Sequence, residues 1–389
     1  MGAVKLFSKR NLQIIAYCLV SVFATLCFVG WQMQQLTGNA AETLKFLRAM
    51  YVIKHNFDGK VDNAKLFDGA IDGMVKSLDD PYTVYLDKKA FADLSEATIG
   101  SFGGIGIVFG KRNDDYVVIS ALPDNPGALA GIKGGDKIIE VDGKPTKDMN
   151  MEEVATKIRG EIGTEVTLKL VEKDGKGKTV RVIRKEIKTQ SVGAEMLPNS
   201  KIGYIRIVMF NEKTGVDFAK EYEKLEKEGM QATILDLRGN PGGVLDDGVA
   251  VAKKFVPKGP IVSIIYNDGS QFVENSDLPK IKYPLAVLVD GGSASASEIV
   301  AGAIKDTKAG KLFGVKTFGK GSVQGVYRLD AATAIKVTTA KYYTPSGVSI
   351  HNVGIEPDVV VELTENATGD VQLKAAEKYL IEELSKRGE

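Results

Sequence analysis

Histidine and cysteine are scarce in this sequence of 389 residues. The only cysteines are Cys18 and Cys27, in an apolar N-terminal run, and the only histidines are His55 and His351. The rest of the chain therefore has no disulfide, no thiolate nucleophile and no cysteine-based metal site. A histidine-rich metal centre is excluded as well, and a Ser-His-Asp triad would have to use one of these two histidines.

A surplus of either charge is also missing. The formal net charge is +1, with 26% charged and 44% hydrophobic residues. Proteins whose main partner is nucleic acid normally carry a concentrated basic surplus, so no nucleic-acid partner is expected. The composition is that of an ordinary globular protein, and the length predicts two or three domains.

One long uncharged run lies near the N-terminus. Lys5, Lys9 and Arg10 precede a mainly apolar stretch at 12–31. Its length suits a bilayer crossing that keeps the basic residues cytoplasmic, so we interpret 1–41 as a signal anchor with its linker. A signal peptide cut among the small residues at the end of this segment is the alternative. Both interpretations place the body in the cell envelope, outside the cytoplasm on the periplasmic or extracellular side, and cleavage would make it secreted.

The remaining chain is predicted to be an α/β multidomain protein. Residues 42–97 have helical periodicity and are interpreted as a spacer or as a dimerising or capping element, which leaves homo-oligomerisation open. Residues 98–188 contain short glycine-bounded strands and two helices, a pattern typical of a small, partly open barrel. Residues 189–365 alternate strands and helices, which predicts a largely parallel sheet covered by helices. An amphipathic helix is predicted at 366–389.

Three loops are predicted at the carboxyl ends of strands, where reactive groups gather in open α/β sheets. They span 236–245, 290–299 and 317–325. In the first loop, Asp236 and Arg238 are interpreted as a pair that holds the loop in place. The other two loops carry the candidate nucleophile and base.

The loop DGGSASASEI places Ser295 at the start of a predicted helix. Ser295 and Glu298 form the S-x-x-E pattern of a capping box, which explains both residues without catalysis. The small neighbours also allow a substrate backbone to approach the hydroxyl, and the helix start favours a developing oxyanion. The residues alone leave Ser295 open between a helix cap and a nucleophile.

A serine nucleophile needs a base, and the scarcity of histidine directs the search to lysine. Lowering the pKa of a lysine from about 10.4 to about 7 costs roughly 4–5 kcal/mol, and burial shifts amines by that much. Lys320 lies between two glycines in TFGKGSVQG, and Phe318 precedes it by two residues. A solvated hairpin lysine explains the same spacing, so its role as a base is a hypothesis at this point.

Four stretches together resemble the signatures of the C-terminal processing peptidases, also called tail-specific proteases. In that family's order they are DLRGNPGG, GGSASASEIVAGAIKD, TFGKGSVQ and YYTPSGVSIHNVGIEPD, and the resemblance covers roughly residues 45–365. It implies a serine endopeptidase with a crotonase/ClpP-like α/β core and a Ser/Lys dyad. Ser295 would be the nucleophile and Lys320, 25 residues later, the general base. The family needs no metal or organic cofactor.

The resemblance also assigns supporting groups. Gln324 would orient the Lys320 amine, and the oxyanion donors would be backbone amides of Ala296 and of Gly242 or Gly243. One such donor is typically worth about 3–4 kcal/mol to the transition state. A tight strand-to-helix turn explains the glycine pair equally well and is compatible with that role.

The module at 98–188 resembles a PDZ domain of the permuted bacterial type. Its GGIGI turn implies backbone amides that hold the terminal carboxylate of a peptide added as a strand, and they belong to Gly103, Gly104, Ile105 and Gly106. Some relatives use an arginine at the place of Arg159 to couple the module to the protease core, and a surface arginine is the alternative. The expected partners are therefore proteins or peptides recruited by their C-terminal tails.

Two other function classes fit parts of the sequence. One is a PDZ-bearing scaffold or chaperone with an inactive core, against which the intact Ser295, Lys320 and Gln324 count. The other is an acyl-transferring enzyme of the crotonase type, which would need an acyl-CoA site. Comparing a tailed peptide with a thioester as substrate separates both from the protease. His351 replaces a different polar residue of many relatives near the expected active-site face, but it does not displace Lys320 as the base.

Overall fold

The computed structural model describes residues 9–112, 114–362 and 369–387. The chain divides into two units, one that ends at Ser77 and one that begins at Leu78. Lys5 and the predicted junction at 365–366 lie outside the described residues. The first unit is helical, and its elements are α1 (Lys9–Thr37), α2 (Ala40–Asn56) and α3 (Asn63–Lys76).

Helix α1 contains the apolar run. Its segment Gln13–Thr37 is long and apolar enough to cross a membrane, and none of the segment is buried against protein. A signal sequence has the same length and composition. The helix ends because Gly38 takes a positive φ of 72° and the side chain of Asn39 then accepts the N–H groups of Ala41 and Glu42 to begin α2.

The second unit begins with strand β1 (Val84–Leu86) and helix α4 (Lys88–Ile99). The Asp87 side chain caps α4 by accepting the N–H of Ala90 at 2.8 Å, and Gly100 ends the helix with a φ of 71°. Helix α4 therefore leads directly into the small barrel.

Residues 101–188 form the small barrel that the glycine-bounded strands predicted. Its elements are β2 (Ser101–Gly104), β3 (Ile107–Arg112), β4 (Asp115–Ala121), α5 (Pro126–Leu129), β5 (Lys137–Val141), β6 (Lys144–Pro145), α6 (Met151–Ile158), β7 (Glu165–Val171), β8 (Gly177–Ile183) and β9 (Lys185–Lys188). Strands β3, β4, β5, β7 and β8 are hydrogen-bonded in that order, β6 pairs with β5, and β2 pairs with β9. Alternate residues of β7, namely Val166, Leu168 and Leu170, fill the interior.

The rest of the chain is the α/β core. Its elements are β10 (Val192–Met196), β11 (Ile202–Ile207), α7 (Thr214–Lys227), β12 (Ala232–Asp236), α8 (Leu245–Ala252), β13 (Gly259–Tyr266), β14 (Gln271–Ser276), β15 (Leu285–Val289), α9 (Ala296–Asp306), β16 (Lys311–Gly314), β17 (Ser322–Arg328), β18 (Ala334–Tyr343), β19 (Val359–Val360) and α10 (Val371–Arg387). The main sheet has the order β10-β11-β12-β15-β16-β19. All its pairs are parallel except β10 with β11.

Helices cover both faces of the main sheet. Every residue of β12 and β15 is buried, as expected for central parallel strands. Phe218 of α7 and Val300 of α9 belong to the hydrophobic core on one face, and Ala376 and Leu380 of α10 belong to the core on the other. The predicted α/β multidomain architecture is confirmed.

A second sheet lies beside the main one. Its strand order is β1-β18-β13-β14, and β17 also pairs with β18. Strand β1 comes from the start of the unit, and its Val84 is the partner of Lys336 on β18. This pairing brings the segment around Tyr82 to the hairpin that follows the lysine loop.

Candidate active site

Ser295 lies in a sharp turn between a buried strand and a buried helix. Strand β15 ends at Val289, and α9 begins at Ala296. Ser295 has φ 55° and ψ −117°, a conformation that costs a residue other than glycine about 1–3 kcal/mol. Helix α9 is buried from Ala296 to Ile304, so the turn is held by the packing on both sides. The strained conformation is thus imposed by the surrounding fold.

The three serines of the SASAS run have different roles. The Ser293 hydroxyl donates to the carbonyl of Leu237 at 2.8 Å, and the Ser297 hydroxyl donates to the carbonyl of Asn240 at 3.0 Å. Both serines are fully buried, and they join the nucleophile turn to the neighbouring loop. Ser295 is half-buried and lines a cavity, so among the three serines its hydroxyl is the one accessible to a ligand.

The glycine pair of the NPGG loop packs directly against Ser295. A Cβ on Gly242 would lie 2.7 Å from the Cβ of Ser295, so only glycine fits there. The N–H of Gly242 donates to Oδ1 of Asn240 at 2.9 Å. No described group accepts a hydrogen bond from the N–H of Gly243 or Ala296. These two amides are therefore free to bind a developing oxyanion.

Lys320 lies in the loop between β16 and β17. A Cβ on Gly321 would lie 2.6 Å from the backbone N of His351, and one on Gly319 would lie 2.9 Å from that of Gly354. The glycines on both sides of Lys320 thus allow the loop to pack against residues 351–354. Burial lowers the pKa of Lys320, the positive charge of Lys336 lowers it further, and the charge of Glu298 opposes both.

Glu298 joins the nucleophile turn to the lysine loop. Its carboxylate is fully buried and accepts four hydrogen bonds, from Ser295 N–H (2.9 Å), Thr317 hydroxyl (2.7 Å), Gly319 N–H (2.7 Å) and Lys320 N–H (2.8 Å). The S-x-x-E pattern indicated only the first of these contacts. Glu298 therefore holds the backbone of Ser295 and of Lys320 with one group.

Tyr342 of β18 makes a second bridge between the two loops. Its buried hydroxyl donates to the backbone carbonyls of Ser295 and Lys320. Burial raises the pKa of Tyr342 well above its usual value, so the hydroxyl keeps its proton and remains a donor. This contact could not be predicted from the sequence, because Tyr342 follows Ser295 by 47 positions.

One cavity of about 380 Å³ brings the predicted catalytic residues together. It is lined by all six of them, namely Gly242, Gly243, Ser295, Ala296, Lys320 and Gln324. Apolar side chains supply much of the remaining wall, among them Leu94, Ala97, Met209, Leu245, Ile299 and Val323. The Nε2 of Gln324 donates to the hydroxyl of Ser322 at 2.9 Å.

A partly buried ion-pair network holds the start of the glycine loop. The Arg238 guanidinium donates to both carboxylate oxygens of Asp236 and to both of Asp370, at the N-terminal end of α10. The Tyr204 hydroxyl also donates to Asp236, at 2.6 Å. Asp236 and Arg238 form the expected pair, and Asp370 connects it to the C-terminal helix. The Arg238 charge and hydrogen bonds lower the pKa of Asp370 despite its partial burial.

The GGIGI turn of the barrel borders a second cavity. This cavity has a volume of about 320 Å³ and is lined by Gly104, Ile105, Gly106 and Arg159, among others. The backbone of Gly103 packs so closely on the module's helix end that a Cβ would lie 2.0 Å from the Gly160 carbonyl. No described group accepts the N–H of Ile105 or Gly106, so both amides are open to a ligand.

Arg159 connects the barrel to helix α4. Its guanidinium lies 4.3 Å from the centre of the Phe102 ring and 3.3 Å from the carboxylate of Glu96. Partial burial raises the pKa of Glu96, and the charge of Arg159 opposes that rise. Helix α4 also contributes Leu94 and Ala97 to the catalytic cavity. Arg159 lines the cavity of the barrel and contacts the helix that lines the other cavity.

His351 packs against the loop that carries Lys320, near the active-site face where it was expected. Its ring lies 6.4 Å from that of Tyr82, and Tyr82 in turn lies 5.1 Å from the Lys320 Nζ. The Nδ1 atom of His351 is buried and has no hydrogen-bond partner among the described groups. His55 is exposed on α2 and stacks on Tyr51.

Comparisons with known proteins agree with this architecture. The family model of peptidase family S41 matches residues 201–361, that of the PDZ domain matches 117–172, and that of the activating protease CtpB N-terminal domain matches 29–90. The carboxy-terminal processing protease CtpA of Bacillus subtilis is 38% identical over 369 residues, which are 92% of this chain and 79% of that protein.

Other relatives have similar coverage. The carboxy-terminal-processing protease of Bartonella bacilliformis is 40% identical over 81% of this chain and 75% of its own length. Among solved structures, the photosystem II D1 C-terminal processing protease is 32% identical, with a TM-score of 0.48 over 86% of this chain and 89% of that one. The chain belongs to the carboxy-terminal processing proteases of peptidase family S41, and it is a serine-type endopeptidase with a PDZ domain.

Proposed function

We propose that this chain is an exported endopeptidase whose Ser295/Lys320 dyad cleaves proteins that its PDZ domain recruits by their C-terminal tails. One observation carries the catalytic part. A single cavity holds the Ser295 hydroxyl, the half-buried Lys320 amine and two backbone amides without acceptors. Each part of a serine acyl-transfer mechanism has a group of the required chemistry there.

The reaction proceeds through an acyl-enzyme. The neutral amine of Lys320 takes the proton of the Ser295 hydroxyl, and the serine oxygen attacks the carbonyl of the scissile peptide bond. Lys320 then gives this proton to the leaving amine, and water hydrolyses the ester by the same proton path. Gln324 orients the Lys320 amine from the same cavity wall. No step requires a metal ion or an organic cofactor.

The oxyanion forms beside the N–H groups of Gly243 and Ala296. We assign the glycine donor to Gly243 because the N–H of Gly242 already donates to Asn240. Gly242 instead allows the loop to approach Ser295 closely. A donor of this kind contributes about 3–4 kcal/mol to the transition state, since a preoriented amide needs no reorganisation during the reaction.

Substrate recruitment takes place at the barrel. The peptide adds as a strand, and the free N–H groups of Ile105 and Gly106 bind its terminal carboxylate, next to Gly103 and Gly104. Arg159 then couples the occupied module to the catalytic cavity through its contact with Glu96 of α4. The apolar helix α1 anchors the enzyme in the membrane, with its catalytic body outside the cytoplasm.

Tail dependence tests this function. The full-length chain in detergent is given an unstructured protein with an apolar C-terminal tail, either with a free carboxylate or with a C-terminal amide. We expect cleavage of the free-carboxylate form to be about tenfold faster, because hydrogen bonds to a charged group contribute about 1.5–3 kcal/mol. Equal rates would contradict carboxylate recognition, and no cleavage of either form would favour the inactive scaffold.

Replacing Arg159 with alanine tests the coupling. The exposed ion pair itself contributes at most about 1 kcal/mol to stability, so folding should be preserved. We expect the preference for the free-carboxylate substrate over its amide to fall about threefold to tenfold, measured as a ratio of kcat/KM values. Arg181→Ala, an exposed change on β8, is the matched control. An unchanged ratio would show that Arg159 is a surface arginine with no part in coupling.

A further inference from the structure

Lys336 is a second lysine of the catalytic cavity that the mechanism does not use. It lies on β18 between its strand partners Val84 and Val326. Tyr342 of the same strand, whose hydroxyl contacts the backbone carbonyls of Ser295 and Lys320, lines one cavity with Lys336. Lys336 lines the same cavity as Ser295 and Lys320.

No described carboxylate forms an ion pair with Lys336, which is half-buried. Two carboxylates near this strand, Glu298 and Asp80, accept hydrogen bonds from other groups. The carboxylate oxygens of Glu298 accept four hydrogen bonds from the Ser295 turn and the Lys320 loop. The carboxylate oxygens of Asp80 accept hydrogen bonds from the Tyr82 N–H and the Thr83 hydroxyl. The positive charge of Lys336 therefore acts on the cavity without a direct counter-ion.

We propose that the Lys336 ammonium is a second cation of this active site and that its charge keeps the Lys320 amine neutral, as a general base requires. This inference rests on the proposed role of Lys320. A neighbouring cation disfavours protonation of an amine, and the effect is strong where burial limits screening by water.

The other groups that face Lys320 show why a second cation is needed. The Glu298 carboxylate on α9 raises the pKa of Lys320, and the Tyr82 ring, 5.1 Å from Nζ, also favours the charged ammonium. Tyr342 on β18 stays neutral, and His351 packs on the adjacent glycine. Burial and the positive charge of Lys336 both lower the pKa of Lys320. The charge of Lys336 thus offsets the charge of Glu298, whose carboxylate holds the two loops in place.

Replacing Lys336 with methionine tests this inference. The full-length enzyme in detergent is assayed for kcat/KM with the tailed protein, and for the rate at which a fluorophosphonate labels its serine, both from about pH 6 to about pH 10. We expect the acidic limb of both profiles to move up by about one pH unit. The rate at pH 7 then falls about tenfold and returns towards that of the unchanged enzyme at high pH. Lys336→Arg should keep the original profile.

Lys341→Met is the matched control, because Lys341 lies on the same strand, is exposed and is not among the residues that line this cavity. A Lys336→Met rate that falls equally at every pH would assign Lys336 a structural role and overturn the proposal. A loss confined to substrates with acidic residues, as a higher KM, would make Lys336 a substrate contact and overturn it too. If Lys320→Ala still cleaves, the proposed dyad fails instead, so the two failures are distinguishable.

Discussion

Replacing Ser295 or Lys320 with alanine is expected to reduce kcat/KM for a tailed protein by about a thousandfold or more. Ser295→Ala removes the atom that forms the acyl-enzyme, and Lys320→Ala leaves the hydroxyl without a base. The two losses should be nearly equal and should not add in the double variant, because both residues serve one step. Full-length protein, rate measurements and a thermal unfolding scan suffice for this test.

The Lys320→Arg variant tests whether Lys320 is needed as a proton acceptor or only as a positive charge. Arginine keeps the charge and most of the length but is always protonated in proteins, so it does not accept the serine proton. We therefore expect Lys320→Arg to be as inactive as Lys320→Ala. Full activity of the arginine variant would show that charge alone is needed at this position and would contradict the dyad.

Lys316→Ala is the control for the dyad variants. Lys316 belongs to the same loop, but its side chain is half-exposed and pairs with Glu356 at the surface. It should retain activity and stability. If Lys320→Ala cleaves while Ser295→Ala does not, the base has been assigned wrongly, and His351 beside Gly321 becomes the residue to test.

The order of elements could be predicted from the sequence because its signals are local, and the family resemblance placed the proposed dyad at Ser295 and Lys320. Buried strands are visible in the sequence as apolar runs. The small residues that accompany Ser295 are its direct neighbours in the chain, and so are the glycines that accompany Lys320. The absence of cysteine beyond the N-terminal run excluded a thiolate nucleophile, and the shortage of histidine directed the search for a base to lysine. These predictions did not depend on how distant segments meet.

The groups that hold the dyad in place could not be predicted in the same way. Glu298 looked like half of a capping box, since its contacts with Thr317 and Lys320 join loops 19 and 22 residues away. Tyr342 and Lys336 reach the cavity only because β18 pairs with β17 and β1 in one particular register. A slip of one residue would turn both side chains to the opposite face.

The choice between Gly242 and Gly243 as oxyanion donor has a similar cause. Both glycines have positive φ values, 93° and 139°, and the sequence gives them equal standing. The Gly242 N–H donates to Oδ1 of Asn240, and the Asn240 side chain is oriented because its Nδ2 donates to the carbonyl of Ile207 on β11. That constraint arises only after the sheet has formed.

Replacing Glu298 with glutamine is expected to lower kcat/KM about a hundredfold and to destabilise the fold. Glutamine has one carbonyl oxygen in place of two carboxylate oxygens, so at least two of the four donors lose their acceptor. Each buried donor left unsatisfied costs about 1–3 kcal/mol, so the free energy of unfolding should fall by about 2–6 kcal/mol. The loss of rate follows because a misplacement of about 1 Å between reacting groups costs about that factor.

The pH profile of Glu298→Gln gives a sign that a general loss of structure would not give. The negative charge of Glu298 raises the pKa of Lys320, so its removal lowers that pKa, and the acidic limb of kcat/KM moves to lower pH. This direction is opposite to the one expected for Lys336→Met. Glu356 belongs to an exposed ion pair at the surface, so Glu356→Gln should change neither kcat/KM nor the pH of its acidic limb. A Glu298→Gln enzyme with a reduced rate and an unmoved limb would show that the carboxylate acts on geometry alone, and a limb moved to higher pH would contradict the electrostatic balance assigned to this site.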